Sequence, residues 1–151
     1  MDNPKLLSES DVVFYDKVPL SKVRFVVIIS KYKDKWVFCK HKGRETFELP
    51  GGMREEGEEV LSTAKRELFE ETGALRFSIK PLFGFSTKSV NFYNNSEAFG
   101  MVFLSEIYEF SSSLMYEIDK RILLNTLPLK WAYESIHPKI MMEFFMHYNK
   151  P

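Results

Sequence analysis

Apolar residues recur in short alternating or continuous runs along the chain, and this pattern is typical of β-strands. The runs fall at residues 12–15, 23–30, 36–40, 47–49, 75–88, 99–107 and 116–124. The turn Lys33-Asp34-Lys35 joins the second and third runs, so these two predict a β-hairpin. We expect the long run at 75–88 to bend near Pro81 or Gly84. Pro50-Gly51-Gly52 predicts a tight turn, since glycine adopts backbone conformations closed to other residues.

A helical period replaces the strand pattern after residue 59. At about 100° per residue, one side of this helix carries Val60, Leu61, Ala64 and Leu68. Gly73 is placed to cap its carboxyl end. A second helix is predicted after Pro128, with Pro138 in its first turn and Ile140, Met141, Phe144 and Phe145 on its apolar side. Strands around a central helix, with another helix at the end, predict an α+β fold arranged as an α/β/α sandwich.

Three glutamates stand at the buried side of the first helix, where apolar residues are expected. Glu67 and Glu71 lie on the edge of the apolar stripe, and Glu70 lies three positions after Glu67. Burying unpaired negative charge is costly, so this cluster indicates a bound cation. Mg²⁺ or Mn²⁺ fits best, because both accept carboxylate, water and phosphate oxygens. The alternative is a solvated acidic helix whose glutamates pair with Lys65 or Arg66.

The glutamates belong to a longer pattern over residues 52–74. It reads Gly52, five residues, Glu58, seven residues, and then Arg66-Glu67-Leu68-Phe69-Glu70-Glu71-Thr72-Gly73-Ala74. This is the spacing of the Nudix box, and the chain resembles Nudix hydrolases, the MutT-type pyrophosphohydrolases. The resemblance implies a mixed-sheet Nudix fold with a central box helix and a carboxyl-terminal helix. We expect residues 1–151 to form a single Nudix domain.

The resemblance also implies roles for the box residues. Carried over position by position, Glu67, Glu70 and Glu71 are metal ligands, and Gly52 offers its carbonyl oxygen to the metal. Glu58 and Arg66 are expected to form an ion pair that supports the loop and helix. Arg66 also counts as a candidate catalytic residue, although a purely structural role for it is equally open. Gly51 and Gly52 allow the backbone to approach phosphates.

The general base is harder to assign from the sequence. Glu97 fits best, because it follows a predicted loop at 94–96 and precedes the strand over 99–107. A solvated loop acid explains Glu97 equally well, and Glu106 is a weaker candidate. Glu70 or Glu71 can also serve, since the base differs among Nudix enzymes. The sequence leaves these alternatives open.

Candidate substrate-binding residues lie on either side of the box. Arg44, together with His41 and Lys42, precedes the box and can reach terminal phosphates. Phe47 can stack on a base, although core packing is the more common use of an aromatic residue. His137 stands before Pro138, where MutT-type enzymes often place an asparagine that reads the purine. A capping or surface histidine is an equally good interpretation of His137.

The expected reaction is attack of water on phosphorus in a nucleoside diphosphate linked to another group. The leading hypothesis is a MutT-type nucleoside triphosphate pyrophosphohydrolase, with 8-oxo-dGTP among its candidate substrates, that gives a nucleoside monophosphate and pyrophosphate. The alternatives are an RNA 5′-pyrophosphohydrolase, an ADP-ribose or dinucleoside polyphosphate hydrolase, and a non-catalytic nucleotide-sensing domain.

The composition of the chain narrows the classes of partner that it is expected to bind. Lys+Arg and Asp+Glu both number 21, so the net charge is zero and nucleic acid is disfavoured, except as an RNA 5′ end. The longest apolar run, residues 25–29, is too short to cross a bilayer, and the amino-terminal residues lack a signal-peptide pattern. Cys39 is the only cysteine and is expected to be buried and reduced. We therefore expect a cytoplasmic protein, and the sequence leaves a homodimer open.

Overall fold

One seven-stranded sheet runs through the part of the chain that the structure describes. The structure is a computed structural model, and it describes residues 12–89, 92–112 and 118–149. The strands are β1 (Val12–Tyr15), β2 (Val23–Tyr32), β3 (Lys35–His41), β4 (Gly51–Met53), β5 (Ala74–Ser89), β6 (Phe92–Phe110) and β7 (Ile118–Leu124). The helices are α1 (Val60–Thr72) and α2 (His137–His147), and a short 3₁₀ turn covers Leu20–Lys22.

The sheet is mixed, as the sequence predicts. Its strand order is β1-β5-β6-β2-β3-β7, and β4 pairs with β2 off this path. The pair β2–β6 is parallel, whereas the other strand pairs are antiparallel. Val26 lies opposite Gly52 on one side and opposite Met101 on the other. The box loop is therefore anchored beside the central strands of the sheet.

The two helices belong to two separate hydrophobic clusters, and this confirms the α/β/α arrangement. In the first cluster α1 contributes Val60, Ala64 and Leu68, which pack with sheet residues that include Val26, Ile28, Met101 and Phe103. In the second cluster α2 contributes Ile140, Met141 and Phe144, which pack with sheet residues that include Val27, Ile29, Phe38, Phe83 and Phe85. Neither described helix is long and apolar enough to span a membrane.

Most predicted element positions are confirmed, but one loop and one turn are wrong. Gly51 and Gly52, predicted to form a tight turn after Pro50, belong to strand β4, which pairs with β2. The hairpin of β2 and β3 pairs Ser30 with Val37, as expected. The loop predicted at 94–96 is part of β6, which begins at Phe92. The polar residues there indicated a loop, but they lie within β6, between the pairs Lys88–Glu97 and Ser89–Phe92 of the ladder with β5, whose register shifts at this point. Residues 116 and 117 of the last predicted strand lie outside the described residues.

The buried side of α1 differs from the predicted stripe by one position. Val60, Ala64 and Leu68 are buried, whereas Leu61 is 43% exposed. Thr63 and Glu67 are buried instead, because the buried positions of α1 recur every three or four residues, starting from Val60. The helix therefore presents a carboxylate to the interior, as the phase of Glu67 predicted.

The carboxyl end of α1 is tied to distant parts of the chain. Gly73 has φ +79° and its N–H donates to the Phe69 carbonyl oxygen, so it caps the helix as predicted. The Gly73 carbonyl accepts the N–H of Ser111, and Arg121 donates from Nη1 to the Thr72 carbonyl oxygen at 2.7 Å. The last turn of α1 is thereby fastened to β7 and to the end of β6.

Candidate active site

The two glycines of β4 bring the backbone against the box helix. A Cβ atom at Gly52 would collide with the Glu67 carboxylate, and one at Gly51 would collide with the Val26 carbonyl oxygen. The Gly51 N–H donates to Glu71 Oε1 at 2.9 Å. The β2 backbone therefore requires glycine at position 51, whereas a side chain at position 52 would displace the Glu67 carboxylate.

The three box glutamates divide into two groups. Arg66 Nη1 lies 3.1 Å from Glu67 Oε2 and 3.3 Å from Glu70 Oε1. Glu71 instead faces β3 and the turn before β4, where Gly51 and His41 contact it. The helix thus directs its carboxylates toward two neighbouring places. Glu67 and Glu70 lie beside the Arg66 guanidinium, whereas Glu71 lies beside His41 and Gly51.

Arg66 is the centre of the first group. Its Nε and Nη2 bind the two oxygens of Glu58 at 2.8 and 3.0 Å, in the bidentate geometry that strengthens such pairs. Nη2 also donates to the Met53 carbonyl oxygen at 3.0 Å. The ion pair expected between Glu58 and Arg66 is therefore present. It joins the loop before α1 to the middle of the helix.

The pKa values of two carboxylates in this group are shifted in opposite directions. Hydrogen bonds from Arg66 and from the Glu55 N–H lower the pKa of Glu58 to about 2. Burial and the nearby Glu71 charge raise the pKa of Glu67 to about 7, against the influence of Arg66. Glu58 is thus held as a stable anion, whereas Glu67 has more negative charge around it than one guanidinium neutralises.

The second group surrounds Glu71. His41 Nε2 lies 3.4 Å from Glu48 Oε1 and 3.5 Å from Glu71 Oε2. The Cys39 thiol is fully buried and contacts Glu71 Oε1 at 3.7 Å. Burial raises the pKa of Glu48 to about 7, and contact with Glu71 raises the pKa of His41. Glu71 is therefore shared between the box helix and a set of side chains on and after β3.

Sequence reasoning missed Glu48 altogether. It lies next to Cys39, which bonds it through both backbone groups, in a segment too short to carry a clear strand pattern. The sequence offered one signal for Glu48, which is a single acidic residue between Phe47 and Leu49, shortly before Pro50-Gly51. Its burial depends on a pairing with β3 that local periodicity does not reveal.

Arg44 and Phe47 lie beside the second group. Arg44 is exposed and hydrogen-bonds Tyr133, whose pKa is raised chiefly by burial. Phe47 is half-buried and packs against the cluster that contains α2. Its backbone pairs with Trp131, which fixes this segment against the connection before α2. Arg44 is thus available at the surface near Glu48, whereas Phe47 has a packing role.

His137 is buried at the start of α2. Its Nδ1 accepts the Leu49 N–H at 3.1 Å, and its ring contacts Trp131 and Tyr133. Burial lowers the pKa of His137 to about 3, so the ring is neutral at physiological pH. These contacts give His137 a place in holding the segment before β4 against α2. A role in substrate binding stays a prediction.

Glu97 lies apart from the box carboxylates. Gly52 and Met101 flank Val26 on neighbouring strands, and Glu97 lies four residues before Met101. Gly52 and Glu97 therefore lie on β4 and β6, the two strands that flank β2. Glu97 Oε2 accepts hydrogen bonds from Ser86 at 2.6 Å and Tyr15 at 3.2 Å, and these bonds lower its pKa. The structure therefore does not bring Glu97 together with Glu67, Glu70 or Glu71.

Comparison with known families identifies this arrangement. The family model described as NUDIX domain matches residues 20–111, which include β2, the box and all of β6. The chain belongs to the NUDIX domain family, and with the whole box in place it is a Nudix hydrolase. No curated protein sequence matches the chain.

Solved structures share the fold. The pyrophosphohydrolase BsRppH of Bacillus subtilis is 21% identical, with 91% of each chain covered and a TM-score of 0.74. The NUDIX domain of Shewanella oneidensis NrtR, complexed with ADP ribose, is 13% identical, with 87% of this chain and 93% of that chain covered and a TM-score of 0.62. A UDP-X diphosphatase is 17% identical to this chain, with 86% of this chain and 66% of that chain covered and a TM-score of 0.62.

Proposed function

We propose that the chain hydrolyses nucleoside triphosphates in the MutT manner and releases a nucleoside monophosphate and pyrophosphate. The observation that carries the proposal is the close contact of the Gly52 backbone with the Glu67 carboxylate, beside Glu70 and Glu71. Carboxylate oxygens of α1 thus lie beside the backbone of β4. An array of this kind suits a substrate whose phosphates are held through divalent cations.

The residues fit a divalent cation. Glu67 is buried and its pKa is raised by burial and by the Glu71 charge, so additional positive charge would stabilise its ionised form. Its donors are oxygens, which favours the hard cations Mg²⁺ or Mn²⁺. Glu67, Glu70, Glu71 and the Gly52 carbonyl would hold the cation. A cation bound there supplies positive charge to phosphate oxygens and lowers the pKa of a water molecule.

The protein groups have distinct parts in this proposal. A water oxygen forms a bond to one phosphorus of the α–β anhydride while the bond from that phosphorus to the bridging oxygen breaks, which releases nucleoside monophosphate and pyrophosphate. The water proton passes to a carboxylate, for which Glu70 and Glu71 are the candidates on the box helix. Arg66 positions Glu67 and Glu70, and Glu58 holds Arg66. Arg44, exposed beside Glu48, is placed to attract the terminal phosphates.

A second candidate substrate class is ADP-ribose. The NUDIX domain of NrtR, which shares this fold, is complexed with ADP ribose. That observation concerns the other protein, and it justifies testing the compound here. RNA 5′ ends and dinucleoside polyphosphates remain alternatives from the sequence, as does a nucleotide sensor. The single domain, the cytoplasmic location and the homodimer also stay predictions.

A substrate panel tests the proposed function. Product release is measured with standard and 8-oxo nucleoside triphosphates, ADP-ribose, dinucleoside polyphosphates and 5′-triphosphorylated RNA, each with Mg²⁺ or Mn²⁺. We expect nucleoside triphosphates to be cleaved fastest, and both excess EDTA and Glu71→Gln to abolish cleavage. Faster cleavage of another compound would replace the substrate assignment. Nucleotide binding without cleavage of any compound would favour the sensor.

A further inference from the structure

A cavity of about 320 Å³ lies on the face of the sheet that α2 covers. Leu104 of β6 and Phe144 of α2 line it, and both belong to the hydrophobic cluster that contains α2. The box helix packs in the other cluster, so the cavity and the box glutamates lie on opposite faces of the sheet. Binding sites for small molecules have volumes of about 300–1,000 Å³, so the cavity suits a small ligand.

The polar lining of this cavity comes from three neighbouring strands. Lys31 of β2 lies opposite Glu106 of β6, and Glu106 lies opposite Ser78 of β5. Lys80 follows Ser78 by two positions, so its side chain lies on the same face of β5. All four residues line the cavity. The sheet therefore presents two ammonium groups, one carboxylate and one hydroxyl to the same space.

The charged groups at the cavity do not pair with each other. Lys31 Nζ lies 5.1 Å from the centroid of the Trp36 ring instead of against Glu106. Within residues 12–89, 92–112 and 118–149, Lys31, Lys80 and Glu106 form no ion pair. Both lysines and the glutamate can therefore bind a ligand without first breaking a salt bridge. Two positive charges against one negative charge favour an anion.

The cavity also offers a surface for a flat ring. Tyr108 lines it and is 48% exposed, and the tyrosine hydroxyl lies 3.5 Å from Ser78 Oγ. Asn149, just after α2, adds a side-chain amide to the lining. An exposed aromatic ring provides a stacking surface for a nucleobase, and the neighbouring hydroxyl and amide groups can hydrogen-bond its edge or a ribose.

We propose that this cavity is a second, non-catalytic site that binds a nucleoside monophosphate. Lys31 and Lys80 bind the phosphate, Tyr108 contacts the base, and Glu106 accepts a hydrogen bond from a ribose hydroxyl or a base amino group. The inference rests on the proposed function only in that the proposed reaction releases such a molecule. None of the described residues that line the cavity belongs to the box.

Calorimetric titration of the whole chain with AMP and GMP in excess EDTA tests the site, because no divalent cation can then hold a nucleotide at the box. We expect both to bind the wild type, and to bind Lys31→Gln and Lys80→Gln at least about tenfold more weakly, since each variant loses a charged contact with phosphate. Lys33→Gln is the matched control, because Lys33 is exposed on the same hairpin and does not line the cavity. Inorganic phosphate should bind more weakly than AMP or GMP, because it has no ring to contact Tyr108.

The outcomes separate this site from the proposed function. Absence of AMP and GMP binding at millimolar concentration, or equal weakening in Lys33→Gln, overturns the second site even where hydrolysis is normal. Equal affinity for inorganic phosphate overturns the assignment to a nucleotide. Binding that is lost in Glu71→Gln but kept in both cavity variants places the nucleotide at the box and also overturns the second site. Binding that survives in Glu71→Gln while hydrolysis is lost supports both assignments. Lysine-dependent binding to a wild type that hydrolyses nothing supports the second site and overturns the proposed function.

Discussion

The two helices cover opposite faces of one sheet and bury polar groups in different ways. α1 buries Glu67 among other carboxylates, and Arg66 supplies the opposing charge. α2 buries His137 as a neutral ring, whose Nδ1 accepts a backbone N–H from Leu49. One face therefore holds ionised groups that are incompletely neutralised, whereas the other holds a polar group that is satisfied by a single hydrogen bond.

On this difference we base the proposal that the α1 face performs the chemistry and the α2 face supports it. Burying several carboxylates reduces stability unless cations compensate for it, so such a cluster indicates a binding site. The α2 side is built from aromatic and aliphatic contacts, such as the edge-on pair Trp36–Phe144. Changes on α1 should therefore alter activity, and changes on α2 should alter stability.

The largest expected effect is on turnover. Glu70→Gln removes a carboxylate from the box and should lower kcat by at least about 100-fold, because charge stabilisation at phosphorus contributes several kcal/mol. Unfolding should change little, since Glu70 is only half-buried. The matched control is Glu143→Gln on α2, which should retain normal turnover. Equal loss of turnover in both variants would contradict the division between the helices.

The next effect is on stability. Arg66→Met leaves the Glu58 and Glu67 carboxylates without their cation, and should reduce the free energy of unfolding by about 3 kcal/mol. Arg76 pairs with Glu109 at 3.6 Å but is 68% exposed, so Arg76→Met should cost less than about 1 kcal/mol. Denaturant titration of both variants measures the difference. Similar losses would show that the α1 network behaves as a surface pair.

A smaller effect concerns the pH dependence of stability. The pKa of His137 is about 3 in the folded protein and lies below its ordinary value of 6.5, so the unfolded chain binds the proton first. His137 therefore contributes stability that is present above pH 6.5 and lost as pH falls toward 3, by about 1.4 kcal/mol per pH unit at most.

His137→Asn tests this pH dependence. The asparagine oxygen keeps an acceptor for the Leu49 N–H but does not titrate. The free energy of unfolding of the variant should therefore fall less steeply than that of wild type between pH 6.5 and 3. His147→Asn, at the exposed end of α2, serves as the control. Parallel profiles for wild type and His137→Asn would show that the histidine does not titrate as its burial implies.

The smallest effect is expected at Glu97. Because its carboxylate is held by Ser86 and Tyr15, away from the box, Glu97→Gln should change kcat by less than about tenfold. The pH profile of kcat should keep its shape. A loss of about 100-fold or more, with the wild-type pH dependence removed, would instead assign the general base to Glu97.

Periodicity predicted the parts of the molecule that depend on local sequence. The phase of α1 placed Glu67 at the interior, and the cap at Gly73 followed from its residue type. The same pattern wrongly placed Leu61 on the buried side of α1. Four apolar residues do not determine uniquely which position lies at the centre of the buried stripe. The loop at 94–96 was wrong because β6 begins at Phe92, where pairing with Ser89 of β5 is a contact that local propensity does not reveal.

Contacts between distant residues were beyond local reasoning. His137 meets Leu49 across 88 positions, and Glu48 becomes buried only by pairing with Cys39 on β3. The position of Glu97 relative to Gly52 depends on the strand order, in which β6 lies beside β2 and β4 lies on the other side. The composition of the chain and the spacing of its residues do not reveal the order of the strands in the sheet.

The hydrogen bond from Arg121 to Thr72 joins residues 49 positions apart and closes the last turn of α1. Contacts of such sequence separation form late in folding, because the loop between them must first be ordered. During refolding, α1 can become helical early, but its glutamates reach their final orientation only when β7 has joined the sheet. Acquisition of tight Mn²⁺ binding should therefore coincide with the final cooperative step and follow the first appearance of helical structure.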